Sequence, residues 1–393
     1  MILGASILQL PAIEEAKKMG LEVVAVDMNP EAVGFKVDGV EKEVISTIDI
    51  DKVVEAAIKH KIDGVMTLAS DMPMRTVAAV SQKLGIIGID SDTAIRATNK
   101  AEMRKCLAQN KVPVPMFFKV SNEEEYFKVV SAFKKPFIVK PADNSGSRGI
   151  FLVKNQKDTK NVRDAYKYSK NYSRNGDIVV EEYMSGKEVS VETLSINGIT
   201  HVIQITDKIT TGAPYFVEMG HTQPTSFDEI MVKRIKKIAV DAVNAIGIKD
   251  GPAHTEIMVT ENGPKIVELG ARLGGDCITS HLVPLSTGVN MVRCCINIAL
   301  GEEADISPKF QKGSAIRYFP QQEGIIVKIN GEKEALSVSG IKQISFTKGI
   351  GDTLSKIKNS GERLGFVIAQ GEDKDSAVKS CEKAIEKINV ELL

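Results

Sequence analysis

The first 95 residues alternate short apolar runs with stretches whose apolar positions recur at helical spacing. The pattern predicts strands at 2–3, 22–27, 64–68 and 85–88 and helices at 9–19, 50–60 and 73–84. Strands that alternate with helices are typical of a parallel sheet. We therefore predict a Rossmann-like α/β domain over residues 1–95, which ends shortly before Val112-Pro-Val-Pro115 breaks the pattern.

The rest of the chain falls into two further segments, 96–312 and 313–393. In the first, strands are predicted at 134–140 and 150–153, from 177, and from 188, with helices at 158–174, 227–246 and 287–300. In the second, strands at 314–319, 324–330, 341–347 and 365–370 precede a helix at 373–388 that has one apolar face. The second segment is therefore predicted to be a small α+β domain.

The runs 253–260 and 265–271 are predicted to form a hairpin, because an Asn262-Gly263 step between apolar runs is a strong turn signal. Pro264 has no N–H to close a tight turn, which favours a five-residue connection. With that connection Glu256 lies directly opposite Glu268, whereas a two-residue turn would place them on opposite faces.

Two carboxylates that face each other in this way would lie about 4.5–5.5 Å apart at Cβ, which is destabilising without a compensating cation. Oxygen ligands with no cysteine nearby favour a hard cation, and Mg²⁺ usually completes its shell with substrate phosphates. The alternative is a solvent-facing hairpin whose two glutamates never meet. Arg272 and the Gly274-Gly-Asp276 turn, which follow on the same face, favour the metal site.

The composition excludes several classes of protein. Lys plus Arg and Asp plus Glu number 51 each, so no global charge favours nucleic acid or an anionic membrane. The five cysteines show no metal-binding spacing and indicate a reducing, cytoplasmic setting. We expect a soluble chain without a signal peptide or a membrane-spanning run, and a homodimer as the default assembly.

A polar loop at 143–149 follows the predicted strand that ends at Lys140. Glycine and serine there supply free N–H and hydroxyl donors of the kind that bind phosphate. A Walker sequence is absent. Gly4-Ala5-Ser6 does not continue into a dinucleotide fingerprint either, which argues against an NAD-dependent oxidoreductase.

Taken together, these residues resemble the ATP-grasp enzymes over the whole chain. The resemblance implies a pre-ATP-grasp domain at 1–95, a two-lobed ATP-grasp domain at 96–312 with its smaller lobe at about 113–186, and a C-terminal domain at 313–393. It implies ATP and Mg²⁺ as cofactors, with one or two ions and with Mn²⁺ as a substitute. Lys100 and Lys140 resemble the two lysines with which the family contacts ATP.

The segment Glu181-Glu-Tyr-Met-Ser-Gly-Lys-Glu188 resembles the family's adenine-binding hinge. By this likeness Glu181 accepts from the adenine amino group, the backbones of Glu182 and Met184 meet the adenine edge, and Glu188 holds the ribose hydroxyls. The residues Ser145, Gly146, Ser147 and Gly149 resemble the loop over the β- and γ-phosphates.

Glu256 and Glu268 resemble the two metal-binding acids of the family, and Arg272 resembles the arginine that contacts acyl-phosphate oxygens. Many relatives carry an asparagine two residues after the second acid, whereas this chain has Gly270. Because glycine has no side chain to coordinate a metal, the number of ions stays open.

The runs Glu218-Met-Gly-His221 and 270–276, with the C-terminal module, resemble the L-amino acid ligase subgroup. The resemblance implies a ligase that activates a carboxylate as an acyl phosphate and joins it to an amine, with amino acids as substrates. Glu218 or His221 is expected to orient or deprotonate the amine. A purine-pathway ligase similar to phosphoribosylglycinamide synthetase and a non-catalytic nucleotide-binding regulator are the alternatives. Arg317 either meets a substrate carboxylate or pairs internally.

Overall fold

A computed structural model describes residues 1–144, 146 and 148–393. The strands are β1 Ile2–Leu3, β2 Val23–Val26, β3 Val40–Glu43, β4 Phe117–Val120, β5 Phe137–Pro141, β6 Phe151–Val153, β7 Ile178–Glu182, β8 Lys187–Ile196, β9 Ile199–Thr210, β10 Glu218–Gln223, β11 Gly251–Thr260, β12 Gly263–Gly270, β13 Gly313–Tyr318, β14 Gly324–Asn330, β15 Ile341–Phe346, β16 Thr353–Leu354, β17 Gly365–Gly371 and β18 Asn389–Leu392. The α-helices are α1 Leu10–Lys18, α2 Ile50–Lys59, α3 Met74–Leu84, α4 Ser91–Thr98, α5 Lys100–Gln109, α6 Glu123–Val130, α7 Thr159–Tyr172, α8 Glu229–Ile246, α9 Val283–Thr287, α10 Met291–Leu300, α11 Glu332–Leu336 and α12 Lys374–Ile385. The mixed α/β and α+β class predicted from the sequence is confirmed.

The N-terminal segment is built on a parallel sheet of β1, β2 and β3. Two of the strands predicted there are absent. Residues 85–88 are irregular after Gly85 ends α3 in the left-handed region, and 64–68 make only isolated bridges, from Met66 to Ile2 and from Leu68 to Leu273. The second bridge joins this segment directly to the chain that follows the β11–β12 hairpin.

A four-stranded antiparallel sheet in the order β4-β7-β5-β6 occupies residues 117–182. Its core is aromatic, with Phe133 stacked on Phe137 at 5.0 Å between ring centroids. Tyr126 is fully buried and donates its hydroxyl to the Val162 carbonyl at 2.9 Å, which satisfies its one polar group. This sheet forms one wall of the cavity described below.

The largest sheet has eight strands in the order β12-β11-β8-β9-β10-β13-β17-β15. Its last three strands come from the C-terminal segment, so the sheet continues across the boundary predicted at 312. The remaining C-terminal strands form a separate sheet in the order β16-β14-β18, and α12 packs between the two with Ala377, Cys381 and Ala384 buried.

The helix predicted at 287–300 is shorter than expected. Asn290 accepts from the Arg293 N–H and begins α10, and Gly301 ends it with φ +74°. A π-helical turn at Ile278–Leu282 and α9 precede it. Within the described ranges no single helix is long and apolar enough to span a membrane. Only the bent pair 278–287 and 291–300 meets that test, across an angle of 111°.

Helix α8 packs against one face of the large sheet. The Asp228 side chain accepts from the Met231 N–H at its start, and Gly247 ends it in the left-handed region. Ile235 is fully buried against the sheet, whereas Ile230 on the same helix is 75% exposed.

Ile235→Ala is therefore expected to lower the free energy of unfolding by about 2–5 kcal/mol, because it removes buried methyl groups and leaves a cavity. Ile230→Ala, the control on the same helix, should change it by less than about 0.5 kcal/mol. Urea denaturation followed by circular dichroism measures both. Equal effects of the two substitutions would contradict the assigned orientation of α8.

Candidate active site

A cavity of about 480 Å³ lies between the four-stranded sheet and the large sheet. Its lining draws on every segment of the chain, from the 69–71 loop of the N-terminal segment to Ser360 near the C-terminus. Most of the residues selected from the sequence line it, namely Lys100, Lys140, Gly146, Glu181, Glu182, Met184, Glu188, Glu218, His221, Glu256, Glu268 and Arg272. The other three selected residues are not among these lining residues. Ser145 and Ser147 lie outside the described residues, and Gly149 lies against Pro141 and Tyr172.

Glu256 lies directly opposite Glu268 across the β11–β12 hairpin, but for a different reason from the one predicted. The turn has two residues, not five, since Thr260 pairs with Gly263. A two-residue turn alone would send the glutamates to opposite faces. A bulge after the Ile257–Ile266 pair leaves Val267 without a partner, and the extra residue returns Glu268 to the face of Glu256.

Each of the two carboxylates is held by a lysine. The Lys208 Nζ lies 2.8 Å from Glu256 Oε1, and the Lys100 Nζ lies 2.6 Å from Glu268 Oε1. Burial by itself would raise the pKa of Glu256, but Lys208 and His254 hold that pKa well below its usual range. Glu256 is therefore ionised and able to bind a cation.

The donor set fits Mg²⁺. No group of three or more His, Cys, Asp or Glu side chains arranged for a metal occurs in the described part of the chain. Mg²⁺ needs no such cage, because one or two carboxylates together with phosphates and water complete its octahedral shell. The opposed pair of Glu256 and Glu268 offers that number of oxygen ligands at the cavity wall.

Lys100 is a buried residue at the start of its helix. Asn99 accepts from the Ala101 and Glu102 N–H groups and begins α5, so that Lys100 starts the helix with only 8% of its surface exposed. Its ammonium also donates to the Asn144 carbonyl at 2.7 Å. Lys100 thus joins the metal-site acid to the start of the polar loop.

Lys140 and Glu181 form a buried ion pair with Arg104. The Lys140 ammonium contacts one oxygen of Glu181, and Arg104 Nε donates to the other at 3.0 Å. Burial opposes ionisation of Glu181, but the two cations lower its pKa. Both carboxylate oxygens of Glu181 accept hydrogen bonds from cations, which orients the Lys140 ammonium. The predicted contact of Glu181 with the adenine amino group stays a prediction.

Arg272 forms an ion pair with Asp71 of the N-terminal segment. Its Nε donates to Asp71 Oδ1 at 2.8 Å and its Nη2 to Oδ2 at 3.2 Å. A Cβ on Gly270 would lie 2.5 Å from Asp71 Oδ1. The absence of a side chain at position 270 therefore makes room for this ion pair.

Asp276 pairs with the C-terminal segment instead. Arg363 donates to both of its carboxylate oxygens, at 2.9 and 2.8 Å, and to the Glu218 carbonyl at 2.9 Å. The same guanidinium lies 3.7 Å from the centroid of the Tyr318 ring. Burial disfavours ionised Asp276, but His221 and Arg363 hold its pKa far below the usual range.

His221 lies on β10 and is 1% exposed. Its Nε2 is 3.3 Å from Asp276 Oδ2, and its Nδ1 is buried without a hydrogen-bond partner among the residues that the structure describes. Glu218 Oε2 accepts from Ser360 at 3.4 Å. Both residues line the cavity, on the side formed by the C-terminal segment.

His254 contacts Glu256 and is itself paired with a buried acid. Its Nδ1 is 2.6 Å from Glu192 Oε1, and its Nε2 is 3.5 Å from Glu256 Oε1. Burial alone would lower the pKa of His254, but Glu192 and Glu256 raise it to about 9. The imidazolium therefore orients the metal-site carboxylate.

The hinge segment brings both apolar and polar side chains to the cavity. Met184 is 9% exposed at the cavity wall, Glu182 lies 3.2 Å from the Lys265 ammonium, and Glu188 lies 2.6 Å from Lys208. Burial is the main cause that raises the pKa of Glu188.

Arg317 pairs internally, since it donates to the His221 carbonyl at 2.9 Å.

Sequence reasoning missed Asp71, Lys208, His254 and Arg363 as parts of the site. Asp71 and Arg363 come from segments far from the hairpin, and nothing local marks them. His254 carried a usable signal, because it lies two residues before Glu256 and therefore on the same face of β11. Lys208 carried none, since other polar residues are frequent along β9.

Gly270→Ala is expected to destabilise the protein by about 1–3 kcal/mol, because the added methyl group forces Asp71 away from Arg272. Gly275→Ala is the matched control, since a Cβ there would meet the Ala69 Cβ at an ordinary 3.4 Å. Thermal unfolding of both variants measures the difference. A stable Gly270→Ala protein would contradict the assigned packing of Asp71.

Comparison with known proteins gives two family matches. Residues 133–280 match the ATP-grasp domain, and residues 317–392 match the L-amino acid ligase C-terminal domain 2.

Three relatives illustrate the similarity. The L-arginine-specific L-amino acid ligase of Bacillus subtilis is 26% identical over 70% of this chain and 67% of its own. The phosphoribosylamine–glycine ligase of Caldanaerobacter subterraneus is 24% identical over 88% of this chain and 86% of its own. The structure of the L-amino acid ligase from Bacillus licheniformis superimposes on this chain with a TM-score of 0.84 at 24% identity. The superposition covers 100% of this chain and 98% of that one, so the two share a fold. The chain therefore contains an ATP-grasp domain and a C-terminal domain of the L-amino acid ligase type, and it is similar to carboxylate–amine ligases over most of its length.

Proposed function

We propose that this protein is a ligase that joins two amino acids. The carboxylate of one attacks the γ-phosphate of ATP to give an acyl phosphate and ADP, and the amine of the other then displaces phosphate to form the amide. The observation that carries the proposal is the opposed pair Glu256 and Glu268, which lies in one cavity with Lys100, Lys140 and Arg272. The match of residues 317–392 to the L-amino acid ligase C-terminal domain supports amino acids as substrates.

Nucleotide binding falls to the hinge and the two lysines. An adenine ring needs one donor and one acceptor from an extended strand and apolar surfaces on its faces. The Glu182–Met184 backbone and the Met184 side chain meet that need at the cavity wall. Glu188 is placed to accept from ribose hydroxyls, and loop 143–149 to cover the phosphates.

Glu256 and Glu268 would hold Mg²⁺, which neutralises phosphate oxygens and orients the γ-phosphoryl group. Because position 270 offers no ligand and its space is filled by the Asp71–Arg272 pair, we propose one firmly held ion, with a second bound more weakly if present. Mn²⁺ would substitute, since it shares the preference for oxygen ligands.

The residues of the chain contribute positioning and positive charge to the transfer step. Lys100, Lys140 and Arg272 surround the region where three phosphoryl oxygens gain charge, and such preorganised cations act strongly in a partly desolvated site. Asp71 fixes the Arg272 guanidinium by its two hydrogen bonds. Closure of loop 143–149 would exclude water, which otherwise hydrolyses an acyl phosphate.

Amine activation is assigned to the Glu218 and His221 side of the cavity. Glu218 borders the cavity and can orient an ammonium group. His221 is buried and its Nε2 faces Asp276, so Glu218 is better exposed to accept the amine proton.

We further propose a cytoplasmic location, which the five unpaired cysteines favour, and a homodimer as the default assembly.

A screen of phosphate release with ATP, Mg²⁺ and paired amino acids should identify at least one active pair. Glu268→Gln should reduce that rate by about 10²-fold or more, because it removes an anionic metal ligand that acts on the transition state. Glu261→Gln, at an exposed position in the turn of the same hairpin, is the control and should keep the wild-type rate.

Equal activity of Glu268→Gln and the control would contradict the metal assignment. Phosphate release that requires a phosphoribosylamine and ignores free amino acids would favour the alternative, a ligase similar to the phosphoribosylamine–glycine ligases. Nucleotide binding without ADP release for any amine would instead indicate a regulator.

A further inference from the structure

Lys208 lies in β9 and lines the cavity, with a side chain only 3% exposed. Its ammonium is 2.6 Å from Glu188 Oε1, 2.8 Å from Glu256 Oε1 and 3.7 Å from Glu218 Oε1. These acids stand on three different strands, β8, β11 and β10. One buried cation therefore connects the residues assigned above to the ribose, the metal and the amine.

The contact between Lys208 and Glu256 favours cation binding in one way and opposes it in another. It fixes the carboxylate in a single orientation at the cavity wall, together with His254 on the same oxygen. It also places a positive charge within a few ångströms of any cation bound by that carboxylate, and like charges at that range repel strongly in a desolvated site.

Glu268, the second metal-site acid, is held by a different lysine, Lys100. Lys208 keeps two further partners, Glu188 and Glu218, when its contact with Glu256 loosens. The ammonium can therefore turn away from Glu256 without becoming a buried unpaired charge, which would be costly.

We propose that Lys208 is a positioning residue that holds Glu256 ready for the divalent cation and at the same time limits the affinity for that cation. The proposal rests on the assignment of Glu256 as a metal ligand in the proposed function. It makes the site selective for a cation that arrives with phosphate, because phosphate oxygens offset the repulsion from the lysine.

The test compares cation affinity with turnover. Calorimetry with Mn²⁺, with and without ADP, measures affinity, and phosphate release measures kcat. In Lys208→Met we expect Mn²⁺ to bind at least about tenfold more tightly, because a nearby positive charge is lost, while kcat falls at least about tenfold because the three acids lose their shared anchor. Lys208→Arg keeps the charge and should keep the wild-type Mn²⁺ affinity.

Two further proteins complete the design. The double variant Lys208→Met with Glu218→Gln removes one charge of each sign, so tighter Mn²⁺ binding there reflects Lys208 itself and not the net charge of the cluster. The same variant replaces Lys208→Met in the affinity measurement if Lys208→Met fails to fold. Lys237→Met, which alters an exposed ion pair with Asp241 on α8, is the distant control for both readouts.

Unchanged or weaker Mn²⁺ binding in both Lys208 variants that lack the ammonium would overturn the proposal, as would a wild-type kcat in Lys208→Met. A failure of Mn²⁺ to bind the wild-type protein even with ADP would overturn it together with the metal assignment. Mn²⁺ binding without phosphate release for any amino acid pair would reject only the amino acid ligase function, because the calorimetric comparison does not depend on turnover.

Discussion

Two carboxylates held face to face on neighbouring strands are the constraint on which this structure depends. Glu256 and Glu268 repel each other, and the hairpin keeps them opposed only because a bulge at Val267 corrects the register of a two-residue turn. Such a pair is stable only with positive charge beside it. Lys208 and Lys100 supply that charge in the protein alone, and Mg²⁺ with its nucleotide is expected to take over part of it.

The same need for compensation explains why distant segments meet at one cavity. Asp71 of the N-terminal segment neutralises Arg272, and Arg363 of the C-terminal segment neutralises Asp276. Lys140 and Arg104 share Glu181 between the four-stranded sheet and α5. The first two ion pairs join different segments, and the third joins α5 to the four-stranded sheet within one segment. The charged residues that line the cavity therefore also hold its walls together.

Local patterns predicted much of the chain, including the N-terminal alternation of strand and helix, the hairpin, and Lys140 at the end of an apolar strand. The predicted turn length was wrong. The missing N–H of Pro264 was taken to favour a five-residue connection, yet Pro264 pairs with Val259 within the ladder beside a two-residue turn. The bulge that rescues the pairing leaves no clear mark in the sequence. Asp71 and Arg363 were missed because long-range packing alone brings them to the site.

Metal position is the most direct test of this account. Crystals grown with ADP and Mn²⁺, measured at the manganese absorption edge, would show the ion as an anomalous peak. We expect that peak between the carboxylates of Glu256 and Glu268, with Mn²⁺–oxygen distances of about 2.1–2.2 Å. A peak elsewhere in the cavity, with these two side chains still bound only by lysines, would contradict the central claim.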